Sequence, residues 1–139
     1  MAEPLNNPGG AFGVTDLAQK TWSREVVMKA SAAIAAKTVV QLNVDGTNTI
    51  ITAPVSPTKP LCIGITKDAI AAGGVGLVVI GGYIGSVPMT GAYAAAGVVI
   101  QPSSATAGSV ATGGATGDSI GVGLTAVSGG LVDVWVRPS

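Results

Sequence analysis

The sequence predicts an all-β domain: a small β-barrel or β-sandwich of hairpins, preceded by an extended N-terminal arm. Three observations point there. A glycine-anchored phrase occurs twice, aliphatic β-branched runs of four to six residues recur along the chain, and turn-forming Gly and Pro separate those runs. The first copy of the phrase reads Ile63-Gly64-Ile65, then Ala71-Ala72-Gly73-Gly74, then Leu77-Val78-Val79-Ile80. The second reads Ile120-Gly121-Val122, then Val127-Ser128-Gly129-Gly130, then Leu131-Val132-Asp133-Val134-Trp135-Val136. Each reads as strand, tight Gly-Gly turn, strand. The pairs Gly73-Gly74 and Gly129-Gly130 supply the positive φ that a hairpin turn demands.

Residues 1–37 divide into an arm and a connecting segment. Met1 to Val14 is rich in Pro, Asn and Gly, with Phe12 its one large aromatic, and is expected to be mobile in the free protein. Within 15–36 a short helix is one expectation, because Asp16 and Gln19 form a plausible capping pair and Ala30 to Ala36 tolerates a helix. Arg24-Glu25-Val26-Val27-Met28-Lys29 fits an edge strand equally well.

From residue 38 to 139 the reading is β throughout. Val39 to Val44 alternates and stops at Asp45-Gly46, a strong turn dipeptide, and Thr49 to Thr52 returns. Three prolines between Ala53 and Pro60 exclude a central strand there. The two related units occupy 61–82 and 118–137. Between them Tyr83 to Pro88 continues extended, Gly97 to Gln101 makes a short strand, and the Ser/Ala/Thr/Gly-rich stretch 102–117 reads as a surface loop with a strand at Ser109 to Thr112.

Composition narrows the function. The chain has 139 residues, a formal net charge of +0 and only 10% charged residues, with none between Asp68 and Asp118. A surface so poor in charge is expected to face further copies of the chain or a partner protein. Aromatics make up 4%, so a small core of small side chains gains from self-association. No Lys/Arg cluster exists to neutralise phosphates, which argues against nucleic acid. The apolar run Ala69 to Gly85 imitates a membrane span, but each of its glycines weakens a helix by roughly 1 kcal/mol relative to alanine, and it belongs to the repeat.

No catalytic, cofactor or metal constellation stands out. With no histidine, a Ser–His–Asp relay is impossible, and the aspartates are too widely spaced for a metal loop. Gly73-Gly74-Val75-Gly76 and Gly81-Gly82-Tyr83-Ile84-Gly85 lack the rest of a nucleotide-loop motif and read as turn glycines. The lone Cys62 reads as a small buried hydrophobe. The candidate contact residues are therefore Phe12, Trp22, Arg24 and Trp135. Trp22 stands beside Arg24 where the arm meets the body. Trp135 lies on the strand face opposite Val134 and Val136, as a core plug or, better, an interface anchor.

The stretch from Val39 to Arg137 resembles the capsid decoration, or cement, proteins of tailed bacteriophages. The resemblance is carried by Ile63-Gly64-Ile65-Thr66-Lys67-Asp68-Ala69, Gly73-Gly74 and Leu77 to Tyr83, and by the run from Gly117 to Gly130 followed by Val132-Asp133-Val134-Trp135-Val136. It implies a small β-barrel or sandwich on the outer surface of the virion, often a homotrimer, bound to the major capsid protein and bracing the expanded shell after assembly in the host cytoplasm. Members of that family commonly begin near Val39, so the segment before it is a departure. A tail, spike or fibre-associated virion component is the main rival, and a small carbohydrate-binding module a more distant one.

Overall fold

The computed structural model describes residues 23–55, 57–58, 61–91, 97–113, 119–125 and 127–137. Nine strands make one continuous sheet: β1 (Ser23–Lys29), β2 (Val39–Leu42), β3 (Ile50–Thr52), β4 (Cys62–Thr66), β5 (Val75–Thr90), β6 (Val99–Pro102), β7 (Val110–Thr112), β8 (Gly121–Gly123) and β9 (Leu131–Val136). The expected helix within 15–36 is corrected: Ser23–Lys29 is a strand, and no helix lies in the described part of that range. Its β-branched Val26 and Val27 suit a pleated surface, and Val26 and Met28 go to the core side.

Pairing closes five strands into a ring. β5 pairs with β7, β7 with β6, β6 with β8, β8 with β9, and β9 returns to β5. This is a barrel, the first of the two architectures expected. The remaining strands grow from β5 as well. Its N-terminal half carries β1 on one edge and β4 on the other, since Val79 is partnered by both Glu25 and Ile65. β2 and β3 follow β4 outward. A parallel bridge from Ala30 to Ile50 brings the chain after β1 against β3.

Two apolar clusters result. The first fills the barrel with Ile84, Val87, Ile100, Val110, Val132, Val134 and Val136, and runs on to Val39, Cys62 and Ile65 on one face of β2 and β4. The second holds Ala30, Ile34, Val40, Ile50, Ile70 and Val78 on the other face. Neighbours Val39 and Val40 thus enter different clusters, as do Val78 and Val79. Strands buried on both faces read as continuous apolar runs without alternation. Cys62 is buried in the first cluster, its thiol 3.9 Å from the Thr58 carbonyl oxygen.

β5 is 16 residues long because it absorbs two irregularities. Ile80 has no partner between the pairs Arg24–Gly81 and Glu25–Val79, and Gly85 and Ser86 together face Asp133 between the pairs Ile84–Val134 and Val87–Val132. Each added residue shifts the inward side by one, so the interior positions run Val79, Ile84, then Val87 and Met89. Such bulges bend a strand from an open sheet into a barrel wall.

The repeated phrase has a structural counterpart in its central glycine. A Cβ on Gly64 would run into the Val79 carbonyl oxygen, and a Cβ on Gly121 into that of Trp135. Both units use glycine where the partner backbone passes too close for any side chain. The turns differ. Gly129 and Gly130 (φ 61° and 75°) form a two-residue turn closed by reciprocal Ser128–Leu131 backbone bonds of 3.0 and 3.1 Å, as read from the sequence. Between β4 and β5 the connection is not a tight turn but eight residues, 67–74. Gly73 (φ 73°) sits in a turn closed by Gly74 N–H to the Ala71 carbonyl, and Ile70 is bridged to Ile34.

In the low-complexity stretch, the Ser103 hydroxyl accepts the amides of Ala105 and Thr106 at 3.1 and 3.0 Å, while Gly108 bonds backbone to backbone with Val39 and Ala53. The segment is a loop packed on β2, followed by β7.

Candidate contact surface

Opposite residues of an antiparallel pair share a face. On β1 and β5, Val26 faces Val78 and Met28 faces Gly76, and this side belongs to the second cluster, with Ile70 filling the space over Gly76. The other side carries Val27 opposite Leu77 and Lys29 opposite Val75. It is open: Val27 is 67% exposed, Val75 66% and Leu77 36%. Three neighbouring aliphatic side chains thus share one exposed sheet face.

Beside this patch lies a cleft of about 310 Å³ between the start of β1 and the bent part of β5. Its polar wall is Ser23, Glu25, Lys37 and Lys67; Val79 and Ile84 make the floor, with Tyr83 and Gly85 at the far end. Lys67 Nζ stands 3.0 Å from Glu25 Oε2, and the Ser23 hydroxyl donates to the same oxygen at 2.8 Å. These bonds, Ser23's first, hold the Glu25 carboxyl below its usual pKa. Lys37 has no ion-pair partner among the described residues. Its backbone is left-handed (φ 57°), and its N–H is bonded to the Thr66 carbonyl at 2.9 Å. Thr66 is fully buried; its hydroxyl accepts the Thr38 amide at 3.0 Å and donates to the Ala35 carbonyl at 2.8 Å. One threonine therefore fixes the turn that carries Lys37.

At the far end, Asp133 Oδ1 accepts the Ser86 amide at 3.0 Å, and the Tyr83 hydroxyl bonds to the same carboxylate. Burial, then the Asp133 charge, raises the Tyr83 pKa. A Cβ on Gly85 would sit 2.7 Å from the Tyr83 hydroxyl and 3.1 Å from Asp133 Oδ1, so glycine leaves room for this pair.

The sequence-derived contact residues fall as follows. Phe12 and Trp22 lie outside the described residues. Arg24 is exposed on β1 opposite Gly81. Trp135 is half-buried on the outer side of β9, opposite Tyr83 and Val122, with Val134 and Val136 buried on the other side. Arg24 and Trp135 thus flank one short stretch of β5, on opposite edges. Glu25, Lys37, Lys67, Tyr83 and Val27 were not singled out by the sequence. Only the alternation Glu25, Val27, Lys29 hinted at an outward-facing row.

Among the described residues no group of three His, Cys, Asp or Glu side chains converges, and no helix is long and apolar enough to cross a membrane. No known protein family matches the sequence, and no curated protein does. The likeness to decoration proteins therefore rests on the glycine motifs alone. The fold does have a counterpart among solved structures. The N base of the head fiber protein gp8.5 of bacteriophage phi29 superposes with a TM-score of 0.54 at 11% identity, over 84% of this chain and 95% of that one. The architecture described above is shared almost end to end with that fiber base.

Proposed function

We propose that this chain is a structural protein of a phage virion that attaches to the head. The observation that carries the reading is the fold in common with the base of a phage head fiber, over nearly all of that base. The glycine phrases that resemble cement proteins and the scarcity of surface charge point the same way.

Within that reading we assign the chain a cement role. It sits on the outer surface of the expanded shell, contacts the major capsid protein and its own copies, most naturally as a trimer, and adds contact area between shell subunits. Its action is mechanical, with no catalytic step, nucleic acid or membrane in it. Mass action stabilises only the state that a ligand binds, so the protein must prefer the expanded lattice. The open Val27–Val75–Leu77 face is the natural contact surface. A second reading, the base of a fiber anchored on the head, is favoured by the nature of the structural counterpart.

The test uses expanded heads lacking the protein. Purified protein should bind to saturation at a fixed copy number and raise the temperature at which heads rupture. Binding with an unchanged rupture threshold points to the fiber base; no binding removes both readings.

A further inference from the structure

We propose that the cleft between β1 and β5 is a carboxylate-binding subsite that receives an acidic side chain of the protein surface on which this chain sits. The source of the acid rests on the head-attached reading; the chemistry of the cleft stands without it.

Two lysines, Lys37 and Lys67, line the cleft together with one acidic residue, Glu25. Glu25 is already engaged by the Ser23 hydroxyl and by Lys67. An ammonium has three donors, so Lys67 keeps donors to spare after this one, and Lys37 meets no counter-charge among the described residues. Tyr83, which could have donated into the space, is turned to Asp133. The residues that line the cleft therefore carry two positive charges against one negative; the Asp133 carboxylate lies just beyond Gly85, where the Ser86 amide and the Tyr83 hydroxyl engage it.

The backbone that carries Lys37 is set in advance. Thr66 pins the turn from Ala35 to Thr38: its hydroxyl accepts the Thr38 amide and donates to the Ala35 carbonyl, and its own carbonyl accepts the Lys37 amide, so Lys37 stands on an ordered backbone. Preorganisation of this kind lowers the cost of binding.

Charge and shape select the ligand. Glu25 repels a doubly charged oxyanion, whereas a single carboxylate matches the single uncompensated ammonium. The floor of Val79 and Ile84 suits the methylenes of a glutamate or aspartate stem.

The full chain, ¹⁵N-labelled at low salt, is titrated with propionate, with its neutral counterpart propionamide, and with inorganic phosphate. Propionate should give saturable shifts at the amides of Ser23, Lys37, Lys67 and Gly85. Propionamide should give none, and Lys37→Met should abolish the response while leaving the rest of the spectrum in place. Equal response to propionamide, a non-saturating response, tighter binding of phosphate, or an unchanged response in Lys37→Met each overturns the carboxylate site. On heads, Lys37→Met should weaken attachment, and the wild-type attachment should fall as salt is raised. Unchanged attachment of the variant shows that the cleft does not face the shell and overturns the assignment of its occupant. A wild-type chain that ignores heads yet gives the Lys37-dependent propionate response sinks the head-attached reading and leaves the cleft chemistry standing.

Discussion

The Asp133 carboxylate of β9 accepts the backbone amide of Ser86 of β5 at 3.0 Å, at the place where two β5 residues face one on β9. Ser86 is one of three described non-glycine residues with positive φ (58°), and an extra residue in a bulge leaves an amide without a ladder partner. The carboxylate supplies that partner and so stabilises the bend that lets β5 join the barrel.

Asp133→Ala should therefore cost about 1 kcal/mol, the net worth of a typical hydrogen bond, because the Ser86 amide is exposed and water can replace the carboxylate. Asp133→Asn, whose Oδ1 can still accept, should cost less. Urea unfolding measures both, and equal stability of all three proteins would remove the role given to this bond.

The same carboxylate raises the Tyr83 pKa, second to burial. With Tyr93, the second of the two tyrosines, replaced by phenylalanine so that Tyr83 alone is read, Asp133→Asn should let Tyr83 ionise at lower pH, still above free tyrosine because burial remains. The sign for stability follows: a raised folded-state pKa gives a contribution fully present below the unfolded value, about 10, and lost as pH climbs through the folded one. Phenolate absorbance against pH reads the shift directly.

Gly64→Ala and Gly121→Ala force a methyl group onto a partner-strand carbonyl and should each cost about 1–3 kcal/mol, as overpacking does. Gly130→Val meets no neighbour, but it places a side chain at φ 75°, which should cost about 1–2 kcal/mol. Thermal melting separates these effects from loss of a ligand contact: a Gly130→Val protein of unchanged melting temperature that failed to bind heads would make the turn a contact.

The open aliphatic face should drive self-association. Light scattering at micromolar concentration is expected to give a mass above the 13.4 kDa of one chain, and Val27→Lys with Leu77→Lys should return it to that value. A wild-type monomer would assign the face to a partner other than a second copy.

Most strands were legible because their ends carry strong punctuation. Asp45-Gly46 closes β2, prolines precede β4, and Gly129-Gly130 starts β9. β5 was not legible as one strand. Gly81-Gly82 looks like a stop, and the two bulges break the alternation that would have joined Val79 to Val87. The strand β1 competed with a helix because Ala30 to Ala36 favours one locally, whereas Ala30 and Ile34 are fully drawn into the second cluster. The cleft was hidden for another reason: pairing brings Ser23, Lys37, Lys67 and Gly85 together from four separate parts of the chain, and no local pattern encodes that.

An ordinary strand has two neighbours; β5 has four, in β1, β4, β7 and β9. It runs unbroken from the open sheet into the barrel, so neither half can come apart while the other keeps its central strand. Unfolding should be a single cooperative event, and refolding slow, because β5 must find β1 and β9 some fifty residues away on either side before it is held.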